Sequence, residues 1–204
     1  PLNLVAHKLA PAIAAGNTVV LKPSSQTPVS SFKLAELLKQ AGLPDGALIV
    51  TPCRGSKGNA LVRDSRIALL TFTGSQEVGW RLRGEVHAGV RVILELGGNA
   101  GIVVHSDADL EAAAKAACRG GYAHAGQICI SVQRVYVQSK VYDQFLDKFK
   151  GLVAALKVGD PLSDDTDVGP LIDSGSVDKT IEWVDEAVKG GAKLVYGGKK
   201  CGNN

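Results

Sequence analysis

"RIALLTFTGSQEVGWRLRGEVHAGVRVILELGG", residues 66–98, decides the fold. It opens on the apolar run "RIALLTFTGS", which reads as a strand and breaks at Gly74 and Ser75. "SQEVGWRLRGEVHAG" continues as a helix and "RVILELGG" returns to a strand. Strand, helix and strand at this spacing make a βαβ unit, whose two strands run parallel. The same alternation extends upstream. "NTVVLKP" reads as a buried strand, and a helix follows over "TPVSSFKLAELLKQAGLP". Pro28 stands near that helix start, Phe32, Leu34, Leu37 and Leu38 fall at helical spacing, and Gly42 is the stop. "GALIVTP" is then a strand and "GNALVRD" a short helix. Downstream come the strand "AGIVVH", a helix over "DADLEAAAKAACRGG", the strand "SVQRVYVQ" and a long helix over "KVYDQFLDKFKGLVAALKVG". A polar loop over 160–173 precedes a last helix, "SVDKTIEWVDEAVKGG". An α/β fold with a parallel sheet is therefore expected, and the pair Gly97 and Gly98 is the candidate domain switch.

Composition narrows the function. The 204 residues are 45% hydrophobic and 21% charged, enough to bury a substantial core. A net charge of +3 from 23 basic and 20 acidic residues, interspersed along the chain, gives no footprint for nucleic acid or an anionic membrane surface. The longest apolar runs fall far short of a membrane span. The chain opens at Pro1, holds no methionine and stops in "YGGKKCGNN", so it reads as an internal piece of a longer protein. Four cysteines, Cys53, Cys118, Cys129 and Cys201, show neither CxxC nor zinc-ligand spacing. That usage points to a reducing compartment, so a cytoplasmic location and no metal site are expected.

Several residues invite a chemical reading. A GxGxxG fingerprint is absent. "FTGSQEVG" instead ends a strand in glycine and serine where a helix begins, and the N–H groups of a helix start suit a pyrophosphate. Ser75 acting only as an N-cap accounts for the same residues. Lys22 closes the apolar "VVLK" just before Pro23, where a solvated lysine is the plainer reading. Glu95 sits among the apolar residues of "VILELGG", where a buried carboxylate is costly unless paired or protonated, and burial is how enzymes raise a carboxylate toward a useful general base. Cys129 lies in "HAGQICISVQRV", residues 124–135, a small-residue loop running into a β-branched strand. A cysteine there is either a small buried hydrophobe or a nucleophile, and the residues alone leave both open.

Taken in order, "LAPAIAAGNTVVLKPSSQTP", "FTGSQEVG", "LELGGN" and "GQICIS" resemble the motifs of the aldehyde dehydrogenase superfamily, with 34 positions from Glu95 to Cys129. "PLNLVAHKLAP" and "ISVQRV" resemble the branch acting on lactaldehyde, phosphonoacetaldehyde, sulfoacetaldehyde or glyceraldehyde phosphate. The resemblance spans essentially the whole chain. It implies part of a Rossmann-like cofactor domain over residues 1–96 and the N-terminal part of an α/β catalytic domain over 97–204. It implies oxidation of a small aldehyde to a carboxylic acid with NAD or NADP, by a full-length protein that is a homodimer or homotetramer. Cys129 matches the nucleophile that forms a thiohemiacetal and then a thioester. Glu95 matches the base that activates water against that thioester. Lys22 matches a ribose-binding lysine, Gly74 and Ser75 the turn that meets the pyrophosphate, and Val78, Gly79 and Leu96 further positions at the cofactor.

Some positions depart from the pattern. The family's oxyanion-hole asparagine precedes the position of Pro1, which leaves the backbone N–H of Cys129 as the oxyanion donor, so the 204 residues alone are expected to be inactive. His124 stands where an asparagine is usual and Gly101 where proline is common. "TPCRGSKGN" is about one residue short near the adenine, which leaves Gly55 unassigned. Ser25 stands where NAD-preferring members often carry a glutamate, so both NAD and NADP are expected to be accepted. Cys53, Cys118 and Cys201 are expected to do no chemistry, with Cys118 in the core. Two alternatives remain: a coenzyme-A-acylating enzyme that resolves the thioester with a thiol, and a non-catalytic protein of the same fold.

Overall fold

The computed structural model describes residues 2–201, and within them the chain divides between Gly97 and Gly98 into two compact units. Pro1 and the close of "YGGKKCGNN" at 202–204 lie outside the described residues.

The first unit runs α1 (Leu2–Ala14), β1 (Val19–Leu21), α2 (Val29–Gln40), β2 (Leu48–Val50), α3 (Gly55–Val62), β3 (Leu69–Thr73), α4 (Gln76–Glu85) and β4 (Arg91–Glu95). Every strand in it pairs parallel, as the βα alternation requires, but in two separate ladders. β1 pairs with β2 from Val19↔Leu48 to Leu21↔Val50, and β3 pairs with β4 from Leu69↔Arg91 to Thr73↔Glu95. One continuous sheet is not what the described residues form.

Helix ends follow local chemistry. Pro28 is the N-cap of α2, and Gly42 ends that helix at φ 95°. The Gly42 N–H donates to Lys39 O at 3.0 Å and the Leu43 N–H to Leu38 O at 3.0 Å, the paired bonds of a Schellman turn, which needs a residue content at positive φ. α1 stops in the same way at Gly16, with Gly16 N–H donating to Ile13 O and Asn17 N–H to Ala12 O, both at 2.9 Å. α1 itself carries Pro11 inside it, and that residue hides the helix in the sequence because proline ordinarily breaks one. The α2 stripe is only partly used: Leu37 is 61% exposed, while Ser31 is buried.

The second unit runs β5 (Ala100–Val104), α5 (Leu110–Tyr122), a 3₁₀ turn (Ala123–Gly126), β6 (Val132–Val137), α6 (Tyr142–Ala155) and α7 (Ser174–Lys189). β5 and β6 pair parallel, and α5 and α6 pack together. Val104, Ala114, Ala117 and Phe145 form the core, with Ile102, Val135, Phe149 and Leu152 against it. Alanines at 114 and 117 place two small residues on one face of α5, which lets the stacked rings of Phe145 and Phe149, 5.7 Å between centroids, approach closely. Asp109 starts α5 by accepting from the N–H groups of Glu111 at 2.9 Å and Ala112 at 3.1 Å. Asp173 starts α7 by accepting from Ser176 N–H at 2.8 Å. No helix among the described residues is long and apolar enough to cross a membrane.

Candidate active site

In the first unit the strand–turn–helix at Gly74 is built by the ladder itself. The Gly74 N–H donates to Glu95 O at 3.1 Å, which carries the β3–β4 pairing one residue past Thr73 and fixes the turn beside the end of β4. Ser75 has extended backbone and is the N-cap of α4, its hydroxyl accepting from Val78 N–H at 3.4 Å. A Cβ at Gly74 would lie 2.5 Å from the Phe72 ring, and a Cβ at Gly79 would collide with the Leu96 side chain. Gly79 is buried, so its missing side chain is what lets Leu96 lie across α4. This brings Gly74, Ser75, Val78, Gly79 and Leu96 together around one helix N-terminus, whose free N–H groups and positive dipole end suit a pyrophosphate.

Lys22 follows β1, half-buried, with its Nζ donating to Pro23 O at 2.8 Å. Its stem lies over α3, where a Cβ at Gly58 would sit 2.9 Å from Lys22 Cδ. Ser25 is exposed in the bend that follows. A lysine held by its stem and a glycine-lined helix start are the groups in this unit that could hold a dinucleotide cofactor.

Glu95 corrects an expectation. Its neighbours in sequence are apolar, but Arg91, Ile93 and Glu95 share the exposed face of β4 while Val92 and Leu94 are half-buried, as the two-residue period of a strand demands. Glu95 is thus an exposed carboxylate, not the buried one its apolar sequence neighbours led one to expect. A cation that the sequence did not single out lies near. Lys8 projects from α1, its Nζ donates to Thr71 Oγ1 at 3.1 Å, and burial lowers its pKa while the Glu95 charge opposes that shift. Only the long-range contact from helix to strand reveals it.

In the second unit Cys129 is exposed, which removes the reading of it as a small core hydrophobe. Cys118 is the buried one, as expected, and burial raises its thiol pKa. The chain reaches Cys129 through three consecutive left-handed residues: His124 at φ 51°, Ala125 at φ 56° and Gly126 at φ 73°. Each non-glycine residue in that region costs on the order of 1–2 kcal/mol, less for asparagine, aspartate and histidine. His124 therefore occupies the kind of position where an asparagine is comfortable.

Side chains hold this turn in place. Gln127 Nε2 donates to His124 O at 3.1 Å and, more weakly, to Pro170 O at 3.5 Å, while its Oε1 accepts from Ile172 N–H at 2.9 Å. A carbonyl needs a donor and an N–H needs an acceptor, so these partners fix which way the amide points. Ser131 is buried, and its hydroxyl donates to Gly121 O at 3.3 Å and Gly120 O at 3.4 Å at the end of α5. A Cβ at Gly98 would collide with the carbonyl oxygen of Cys129, so only glycine permits that approach. Gln127, Ser131 and Gly98 appear in the quoted motifs, but nothing in their spacing announces these contacts. Among the described residues no group of His, Cys, Asp and Glu side chains is placed to hold a metal ion.

The chain belongs to the aldehyde dehydrogenase family, whose family model matches residues 1–204. It is 48% identical over 204 residues to the 3-sulfolactaldehyde dehydrogenase of Priestia megaterium, a match covering 99% of this chain and 42% of that protein. It is similar to the crystal structure of aldehyde dehydrogenase 21 from Physcomitrella patens in complex with the reaction product succinate, at TM-score 0.94 and 41% identity over 100% of this chain and 43% of that one. It is also similar to the NADP-dependent glyceraldehyde-3-phosphate dehydrogenase of Bacillus halodurans complexed with NADP, at TM-score 0.92 and 41% identity over 98% of this chain and 42% of that one. The chain thus spans about two fifths of the length of these relatives. The α/β fold with parallel strand pairs is that of these neighbours.

Proposed function

We propose that the full-length protein oxidises an aldehyde to a carboxylic acid through a covalent bond to Cys129, with residues 1–96 contributing to a cofactor domain and 97–204 opening a catalytic domain. The observation that carries this reading is an exposed cysteine delivered by a left-handed turn in a chain of the aldehyde dehydrogenase family. The Cys129 thiolate attacks the carbonyl carbon, and its own backbone N–H donates to the oxygen that gains charge. NAD or NADP, when bound, supplies the acceptor for the hydride that leaves as the thioester forms. Glu95 then takes a proton from water as the water oxygen attacks the thioester carbon. The C–S bond breaks, releasing the carboxylate and the thiolate. One water is consumed per aldehyde oxidised.

In the full-length protein, Cys129→Ala should abolish aldehyde oxidation, since the covalent route is gone. Glu95→Gln should slow deacylation far more than hydride transfer, so stopped-flow absorbance should show a burst of reduced cofactor before a slow steady state. A burst and steady state that fall together would remove Glu95 from deacylation. For the cofactor, the neutral and exposed Ser25 leaves room for a 2′-phosphate, so both NAD and NADP should support turnover. Ser25→Glu should weaken NADP selectively, by up to about 1 kcal/mol because solvent screens an exposed charge. Equal weakening of both cofactors would break that assignment.

A further inference from the structure

The strand that follows the cysteine loop, β6, does not keep a simple register with β5. Ala100 pairs with Val132 but Gly101 pairs with Arg134, so Gln133 is an extra residue on β6 and forms a bulge. A bulge re-aims the side chain beside it. Here that side chain is Arg134, whose Nη2 donates to the backbone carbonyl of Asn99, the residue just before β5, at 2.8 Å.

The other arm of the guanidinium fork is fixed as well. Arg134 Nη1 donates to the Tyr136 hydroxyl at 2.8 Å, and the guanidinium carbon stands 5.6 Å from the centre of the Tyr136 ring. Two positions apart on one strand, Arg134 and Tyr136 share a face, so the phenol buttresses the planar fork and leaves Nη2 aimed at Asn99.

The segment that Arg134 holds is also the one that touches the backbone of Cys129. Gly98 packs so closely on the Cys129 carbonyl that a Cβ there would collide with its oxygen and lie 3.1 Å from its carbon. The chain at Gly98 and Asn99 is thus gripped from both ends of the stretch 129–134, by Cys129 at its start and by Arg134 at its end. Releasing the Asn99 carbonyl lets Gly98 withdraw. Cys129 then loses the surface that fixes the rotation of its carbonyl, and with it the directions of its thiol and its N–H.

Building on the reading of Cys129 as nucleophile, we infer that Arg134 is a positioning residue for it. Through Asn99 and Gly98 it holds the Cys129 backbone so that the thiolate meets the aldehyde carbon while the Cys129 N–H meets the aldehyde oxygen. Arg134 acts on the steps that need both groups aligned, formation of the thiohemiacetal and the hydride transfer that follows.

The test sets two reactions of one thiol against each other in the full-length enzyme. Hydride transfer from butanal to NAD, read as the first-turnover appearance of reduced cofactor, needs thiol and oxyanion donor aligned. Alkylation by iodoacetamide, followed on the Cys129 peptide by mass spectrometry, needs only an accessible thiolate. Arg134→Gln should slow hydride transfer about tenfold with KM for NAD nearly constant, and leave the alkylation rate within about twofold of the parent. Arg134→Lys should recover part of the loss, because one ammonium reaches a carbonyl without the buttressed second arm. Tyr136→Phe keeps the ring and removes only the hydroxyl; it should slow hydride transfer about threefold, and it carries the test if Arg134→Gln does not fold. Hydride transfer at the parent rate in Arg134→Gln and Tyr136→Phe would overturn the inference, and so would alkylation falling in step with hydride transfer, since the loop would then have lost its shape altogether. Alkylated parent enzyme serves as the reference: its inactivity beside an unaffected Arg134→Gln removes only the positioning role, whereas full activity with Cys129 alkylated removes the nucleophile and this inference with it.

Discussion

The two turns that carry the candidate chemistry are built in opposite ways. At Gly74 and Ser75 the chain passes from β3 to α4 with ordinary backbone, one further ladder bond to Glu95 O and a serine cap. At His124, Ala125 and Gly126 it passes from α5 toward Cys129 through three left-handed residues, braced by the side chain of Gln127 against Pro170 and Ile172 and by the close approach at Gly98. The first turn is what a strand followed by a helix does anyway. The second is held against local preference by contacts some 45 residues away, such as that between Gln127 and Ile172. A binding turn that offers N–H groups needs only regular geometry, whereas a nucleophile needs its thiol presented at one place.

Substitutions in the two turns should separate in proportion. Gly98→Ala should have the largest effect, because the added methyl has backbone oxygen in its way. A loss of about 1–3 kcal/mol, read as a lowered unfolding midpoint of the full-length protein, should accompany a fall in turnover. A fully stable and active Gly98→Ala would show that the approach seen here is relieved at little cost. Gln127→Ala comes next. Without its two good hydrogen bonds the left-handed turn is free to relax, and kcat should fall about tenfold with KM for the cofactor nearly constant, since the binding turn is separate. Gln127→Glu, which keeps the bond from Ile172 N–H and loses the donors, should fall between parent and alanine. A fall in cofactor binding instead would collapse the distinction between the turns. Ser75→Ala should be the mildest, about 0.5 kcal/mol of stability, at the low end for an N-cap because its bond to Val78 N–H is long. A larger loss, or a selective loss of cofactor affinity, would mean that the Ser75 hydroxyl does more than cap α4.

The strands and most helices were legible because their signals are local. Period-two burial, the Gly42 stop and the Asp109 cap each act within a few residues. α1 was not legible because Pro11 contradicts it locally, and helix–sheet contacts such as Lys8 to Thr71 must outweigh that. The site divided along the same line. Cys129, Glu95, Lys22 and the Gly74–Ser75 turn stood out by type and motif, whereas Lys8, Gln127 and Ser131 make their contacts with partners distant in sequence.

By itself the sequence determined the α/β alternation and the parallel pairing, because strand period and helix caps are properties of short stretches. Tertiary structure alone decided that Glu95 is exposed beside a half-buried cation, that Cys129 is exposed while Cys118 is buried, and that Gln127 and Gly98 hold the cysteine loop. Those outcomes depend on which face of each element meets another element, and a face acquires its environment only when segments far apart in the chain are packed together.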